Sequence, residues 1–394
     1  MTSTEPVGYP FNKPQGLSMA PAYAEARSRE GLVRVRLPYG EPAWLATRYA
    51  DVRFVLGDRR FSRAAAIERD EPRTTPGRVV TGFLDVDPPD HTRLRTLVAK
   101  AFTARRIEQL RPRVRTLAGA LLDEMIAGGA PADLVENFAL PLPVVVICEL
   151  LGVPERDRAR FRELSDNGLS TSALTPEEFQ ANNEELRAYI AACVARHRAE
   201  PADDLMTALI EARDLRDRLS EPELIDVSVA ILVAGHETTA TQIANFAYAL
   251  LERPGEFAEL CADPARIPAA VEELLRYVPL GVAAIFPRYA TEDVEVGGVL
   301  VRAGEPVLAS VASANRDALQ FDEPEVVRFD REPNRHLGLG HGLHHCLGAQ
   351  LARVELQEAL GALVTKMPRL RLAGEVEWKT QLVVRGPRTM PVTW

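Results

Sequence analysis

Apolar and polar positions alternate along residues 32–37 (LVRVRL), the period of a half-buried strand, and residues 43–47 are placed to pair with them across Tyr39-Gly40. Residues 51–56 read as a short helix. The stretch 63–83, rich in Arg, Pro, Thr and Gly, has no period, and a loop that long inside a compact protein is usually functional. From residue 90 to about 251 the pattern is mostly helical, with apolar residues three and four apart in 105–126, 140–151, 176–198 and 221–251. Gly152 and Pro154, just past Leu151, form a helix stop. Residues 264–278 predict another helix. Strand-like runs follow over 290–311, with turns at Gly297-Gly298 and Ala303-Gly304. Residues 315–336 are aperiodic, 349–366 predict a last long helix, and 370–394 read as short strands and turns. With no repeat, low-complexity segment or evident linker, the pattern predicts one domain over 1–394, mainly α with small β-sheets. Its β-containing parts fall near 30–60, 285–312 and 370–394, and its helical parts near 90–280 and 349–366.

Composition narrows the function classes. The chain has 394 residues and a formal charge of −9, which argues against a general nucleic-acid binder. Hydrophobic residues at 46% and charged residues at 26% exclude wholesale disorder. Four cysteines, Cys148, Cys193, Cys261 and Cys346, show no CxxC spacing, so a disulfide scaffold is not expected and a reducing compartment is. Residues 1–16 lack a basic and an apolar region of a signal peptide, and no uncharged apolar run is long enough to span a bilayer. The expectation is a cytoplasmic protein without a membrane anchor. Arginine dominates the basic residues: only Lys13, Lys100, Lys366 and Lys379 are lysines.

Residues 337–353 read LGLGHGLHHCLGAQLAR. Gly338, Gly340 and Gly342 sit in a loop, and Cys346 and Gly348 precede a helix, whose positive end favours a thiolate. Taken alone, the segment fits a buried free cysteine beside a Gly-rich turn. A zinc site from His341, His344, His345 and Cys346 is a second reading, although their spacing is tight for a tetrahedral site, which normally draws two pairs from separated segments.

Other segments tip the balance. The stretch resembles the haem-binding loop of the cytochrome P450 family, Phe-Gly-x-Gly-x-His-x-Cys-x-Gly, through Gly340, Gly342, His344, Cys346 and Gly348, with Leu339 at the Phe position as a departure. Residues 234–239 (AGHETT) resemble the oxygen-activation motif of the central helix. Glu273 to Arg276 match Glu-x-x-Arg, and residues 87–95 (DPPDHTRLR) resemble the start of the helix that meets the haem propionates. The resemblance covers about 9–394 and implies the family's fold, with haem b between the long central helix and the cysteine-loop helix.

The resemblance also implies roles. Cys346 is the axial thiolate on iron, which favours O–O cleavage. His91 and Arg95, one helical turn apart, join Arg288 and His344 as propionate partners; charged carboxylates that leave water need such donors. Gly340 and Gly348 shape the haem loop. Glu273 and Arg276 are a structural ion pair completed by Arg328 or Arg331. Glu237 and Thr238 form the acid–alcohol pair that delivers protons, whereas Thr239 and Thr241 fit hydroxyls bonded back to the helix carbonyl one turn earlier. His236 is either solvated or part of the relay, His336 is structural, and His345 either tunes the thiolate or is simply a loop residue. Cys148 and Cys193 read as core cysteines.

In the family's fold the substrate pocket draws on 63–83, 162–182, 231–234, 281–286 and 381–383. The pocket residues expected are Phe83, Val233, Ala234, Val282, Ala283, Ile285, Phe286 and Leu382. The uncharged, small-centred run 281–286 suits a bulky lipophilic ligand, such as a polyketide macrolide intermediate of secondary metabolism. The function implied is haem-thiolate monooxygenation with O2, as hydroxylation or epoxidation; the alternatives are a peroxide-driven or non-oxygenating haem-thiolate enzyme and a haem-binding sensor. Electrons are expected from a separate ferredoxin and ferredoxin reductase, docking near Arg105, Arg106 and Arg353. The protein is expected to be a monomer, with no nucleic-acid or membrane partner.

Overall fold

A computed structural model describes residues 5–75, 82–99, 102–168, 174–202, 204–214, 219–380 and 382–394. The helices in it are α1 (Pro21–Ser28), α2 (Tyr49–Gly57), α3 (Asp90–Ala99), α4 (Ala104–Gly128), α5 (Pro141–Leu150), α6 (Arg158–Gly168), α7 (Pro176–Ala199), α8 (Leu205–Asp214), α9 (Glu221–Leu251), α10 (Pro254–Ala262), α11 (Ile267–Tyr277), α12 (Val311–Ala314) and α13 (Ala349–Lys366). The longest, α9, opens on a capping box: Ser220 Oγ accepts from the Glu223 amide while the Glu223 carboxylate accepts from the Ser220 amide. It is apolar around most of its circumference, so it is buried as a central rod rather than laid on the surface. The apolar faces of α4, α9, α11 and α13 meet in one cluster that includes Leu122, Phe246, Leu274 and Leu360. A second cluster joins α5 to α9 through Ile147, Phe161, Leu186, Leu209 and Leu232.

The strands are short. A six-stranded sheet carries β1 (Val7–Gly8), β2 (Val33–Arg36), β3 (Ala43–Ala46), β4 (Phe61–Ser62), β6 (Arg288–Ala290) and β9 (Pro306–Ala309) in the order β1-β2-β3-β9-β6-β4. The expected hairpin is its core, with Val33 opposite Leu45 and Val35 opposite Ala43. β7 (Val294–Val296) and β8 (Val299–Val301) form a separate hairpin, and β5 (Ala132–Asp133) joins β10 (Arg371–Leu372) and β13 (Pro391–Thr393). β11 (Glu377–Trp378) pairs antiparallel with β12 (Pro387–Thr389).

α1, α6, α8 and α10 are helices that the apolar period does not single out. In α6 only Phe161 and Leu164 are buried hydrophobics, so one short stripe is all the helix offers. The 264–278 element is a 3-10 turn, Pro264–Arg266, running into α11. No helix among the described residues is long and apolar enough to cross a membrane.

Candidate functional site

The cysteine loop is fixed by its own backbone. The amides of Gly340, Cys346 and His345 donate to the carbonyls of Leu337, Leu339 and Gly342 at 2.8, 2.8 and 3.1 Å. Gly342 has φ +71°, and a Cβ there would lie 2.3 Å from the Leu56 carbonyl oxygen, so α2 admits no side chain at this position. Gly348 caps α13, and a Cβ on it would meet nothing within 4 Å. Leu339 is half-buried and packs on the large helical cluster. Cys346 is partly exposed. Burial pushes its thiol above the usual range, against the Gly348 amide and the charges of Arg95 and Arg353, which favour the thiolate. The amide at the start of α13 thus acts on the sulfur in the direction its position suggests, and burial opposes it. Cys148 and Cys193 are fully buried, and burial pushes the Cys148 thiol up to about 12.

Beside the loop, positive groups converge. His91 and Arg95 lie one turn apart on α3, Arg288 is on β6, and the rings of His91 and His344 are 4.4 Å apart. Arg95 donates to the His345 carbonyl at 2.6 Å. Both ring nitrogens of His91, Nδ1 of His344 and Nε of Arg288 are buried with no hydrogen-bond partner. Burial and the neighbouring cations depress all three groups: Arg288 falls to about 10, His344 to about 3, and His91 below its ordinary value. Buried polar nitrogens without partners, beside the charges of Arg95 and Arg288, fit a ligand bearing carboxylates. Arg63 belongs to the same neighbourhood and escaped the sequence reasoning. It is buried, donates to the Pro287 carbonyl at 2.6 Å and pairs with Asp85. Nothing in its aperiodic surroundings distinguishes it.

On α9, Glu237 is buried, whereas Ala234 is exposed and Thr238 partly so in the middle of an otherwise buried helix. Thr238 Oγ1 donates back to the Ala234 carbonyl at 2.8 Å. Thr241 departs from expectation: its hydroxyl donates to Glu237 Oε1 at 3.1 Å rather than to a carbonyl. Lys379, given no role by the sequence, places Nζ 2.5 Å from the same oxygen. Its only advance signal is the scarcity of lysine in an arginine-rich chain. His236 is not solvated; it is fully buried, its ring 5.5 Å from that of Phe161 in a T-shaped contact.

Glu273 and Arg276 form a buried bidentate pair at 2.7 and 2.8 Å. Arg331 supplies the third side chain, its Nε 3.0 and 3.1 Å from the two carboxylate oxygens, while Arg328 contributes its backbone amide at 2.9 Å. Next to it, Glu272 accepts from Arg353 at 2.7 and 2.9 Å and contacts His336 at 3.0 Å. Arg353 is thus tied to α11 through Glu272 while its side chain stays partly exposed. Arg105 and Arg106 are exposed in the first turn of α4.

Of the expected pocket residues, Val282, Ile285 and Leu382 are half-buried and Phe286 is exposed. The segments carrying them are joined by a bridge between Gly281 and Val384. Ala283 turns partly into the cluster of Tyr9, Tyr23 and Leu308, so it is less a lining residue than expected. Val233 packs partly into the second helical cluster. Phe286 has φ +63°, and the Arg63 guanidinium lies 5.5 Å from its ring centroid. The side chain of Phe83, like Gln381, lies outside the described residues.

The family model described as Cytochrome P450 matches residues 267–367. The chain is 55% identical over 397 residues to mycinamicin IV hydroxylase/epoxidase of Micromonospora griseorubida, covering all of both. It is 52% identical over 399 residues to nocardicin C N-oxygenase of Nocardia uniformis subsp. tsuyamanensis, again covering all of both. Among solved structures, a mutant of the mixed-function P450 MycG in complex with mycinamicin IV superimposes with a TM-score of 0.94 at 55% identity, over 99% of this chain and 100% of that one.

Proposed function

Because the chain belongs to the cytochrome P450 family, as a haem-dependent monooxygenase of the hydroxylase and epoxidase kind, we propose that Cys346 is its iron ligand and that His91, Arg95, Arg288 and His344 hold the propionates of haem b. The observation that carries this assignment is the set of buried, unpartnered side-chain nitrogens on His91, Arg288 and His344. When bound, the haem supplies dioxygen activation and insertion of one oxygen atom into the substrate. The chain's own part is to position and to move protons. The Gly348 amide, Arg95 and Arg353 support negative charge on Sγ of Cys346. Glu237 passes protons inward from solvent, and the Thr238 hydroxyl, at the opening in α9, turns from the Ala234 carbonyl to donate at the reacting centre.

The substrate proposed is a large lipophilic intermediate of secondary metabolism, with a polyketide macrolide favoured by the mycinamicin relative and by the uncharged run 281–286. Electrons come from a separate ferredoxin and its reductase. A hollow of about 360 Å³ beside the cysteine loop, lined in part by Arg53 and Arg335, offers an acidic carrier positive charge near Cys346. The protein acts as a cytoplasmic monomer.

The reduced protein with carbon monoxide tests the ligand. A red-shifted Soret band that is lost in Cys346→Ser is expected; the same band in that variant overturns the assignment.

A further inference from the structure

The hairpin of β11 and β12 reaches two places at once. Its far loop carries Leu382, and Val384 bridges Gly281 beside the proposed substrate pocket. Its base is pinned to α9. Trp378 meets Tyr248 edge-on with ring centroids 5.0 Å apart, and Asn245 Nδ2 donates to the Arg385 carbonyl at 2.9 Å. Gly386 lies so close that a Cβ would stand 2.6 Å from Cγ2 of Thr241. The Lys379 amide donates across the hairpin to the Gly386 carbonyl at 2.9 Å. The lysine backbone is therefore held against α9 from several directions.

From that fixed base Nζ of Lys379 reaches Glu237 Oε1 at 2.5 Å and Thr241 Oγ1 at 3.0 Å. Thr241 donates to the same Oε1 at 3.1 Å, which closes a three-membered network. The lysine side chain is 12% exposed and that of Glu237 4%. A carboxylate so buried requires a partner, and removing one member of such a pair leaves the other charge uncompensated. Both contacts fall on Oε1, so they fix the rotation of the carboxylate and leave Oε2 without either bond.

We infer that Lys379 is a positioning residue for proton delivery: its ammonium, bridged by Thr241, orients the Glu237 carboxylate and ties that orientation to the hairpin that reaches the substrate pocket. The inference rests on the reading of Glu237 as the relay acid. Lys379 touches neither substrate nor haem in this role and acts through Glu237.

The test uses the haem-loaded protein, spinach ferredoxin and its reductase, and no organic substrate. Oxygen consumption is followed in H2O and D2O for wild type, K379M, K379R, T241V, E237Q and E237Q/K379M. K379M is expected to slow consumption by at least about threefold and to raise the H2O/D2O rate ratio, with K379R recovering most of the rate. In the E237Q background K379M adds nothing, and the carbon monoxide spectrum is unchanged throughout. Urea midpoints of the same variants give a readout without turnover: the effects of K379M and E237Q on stability are non-additive. E237Q slowed with K379M unchanged overturns this inference alone, as does K379M slowing the E237Q background by the same factor. An unchanged rate in E237Q overturns the relay reading itself. Should K379M not fold, T241V decides: a rate and isotope ratio equal to wild type overturn the network.

Discussion

The imidazole rings of His91 and His344 stand 4.4 Å apart at 55°, with Arg95 and Arg288 as charged neighbours, and three of their four nitrogens are buried without a hydrogen-bond partner. Such an arrangement is poorly matched to itself and well matched to a dianionic ligand. Arg288→Gln removes the most buried cation of the set and is expected to weaken haem retention about tenfold, equivalent to about 1.4 kcal/mol. Transfer of haem to apomyoglobin measures it; a transfer rate equal to wild type removes Arg288 from the propionate set.

Thr238→Ala deletes the hydroxyl at the opening of α9 while the Glu237 network stays in place. Product formed per reductant consumed is expected to fall by about tenfold or more, with substrate affinity little changed. An unchanged ratio makes Thr238 a helix residue bonded to Ala234 and nothing more.

Glu272 supplies a pH dependence. Burial raises its pKa, but hydrogen bonds from His336 and Arg353 outweigh this and hold it near 2, against an ordinary 4.5. Its folded pKa is depressed, so its stabilisation is complete above pH 4.5 and is lost as pH falls toward 2. Glu272→Gln is expected to cost about 1–2 kcal/mol at pH 7. That deficit in urea stability shrinks on acidification through this window; a constant deficit rules out the ionic contribution.

Glu273 is almost fully buried and gathers Arg276, Arg331, the Arg328 amide and Asn334 Nδ2. Glu273→Gln leaves buried guanidinium charge uncompensated and is expected to cost about 3–5 kcal/mol. Urea unfolding checks this, and a loss under about 1 kcal/mol would show that the pair is replaceable.

The sequence made α9 and α13 legible because each carries a long apolar period, and their ends, Glu221–Leu251 and Ala349–Lys366, coincide with the expected ranges. The β2–β3 hairpin was legible for the same reason at period two. α6 and α10 were not, since each hides only two hydrophobic side chains and their burial depends on neighbours distant in sequence. At the site, residues within the recognisable motifs were found, while Arg63 and Lys379 were missed. Both reach the site from segments without period, and Lys379 meets Glu237 across 142 residues of chain, a pairing that only the hairpin's docking on α9 creates. Arg331 lay between: a third arginine was expected, and geometry chose it over the side chain of Arg328.

The Glu273 knot also bears on how the molecule opens. Residues 315–341 contain no helix or strand, yet Arg276 donates to the carbonyls of Asn315, Pro324 and Val326 at 2.9, 2.8 and 3.0 Å. One guanidinium thus does for this irregular segment what a ladder does for a sheet. In hydrogen-exchange terms the segment and α11 should form a single foldon, whose amides become labelled together when the carboxylate of Glu273 lets go. The rigidity with which Cys346 is presented is then inherited from a salt bridge that takes no part in the chemistry.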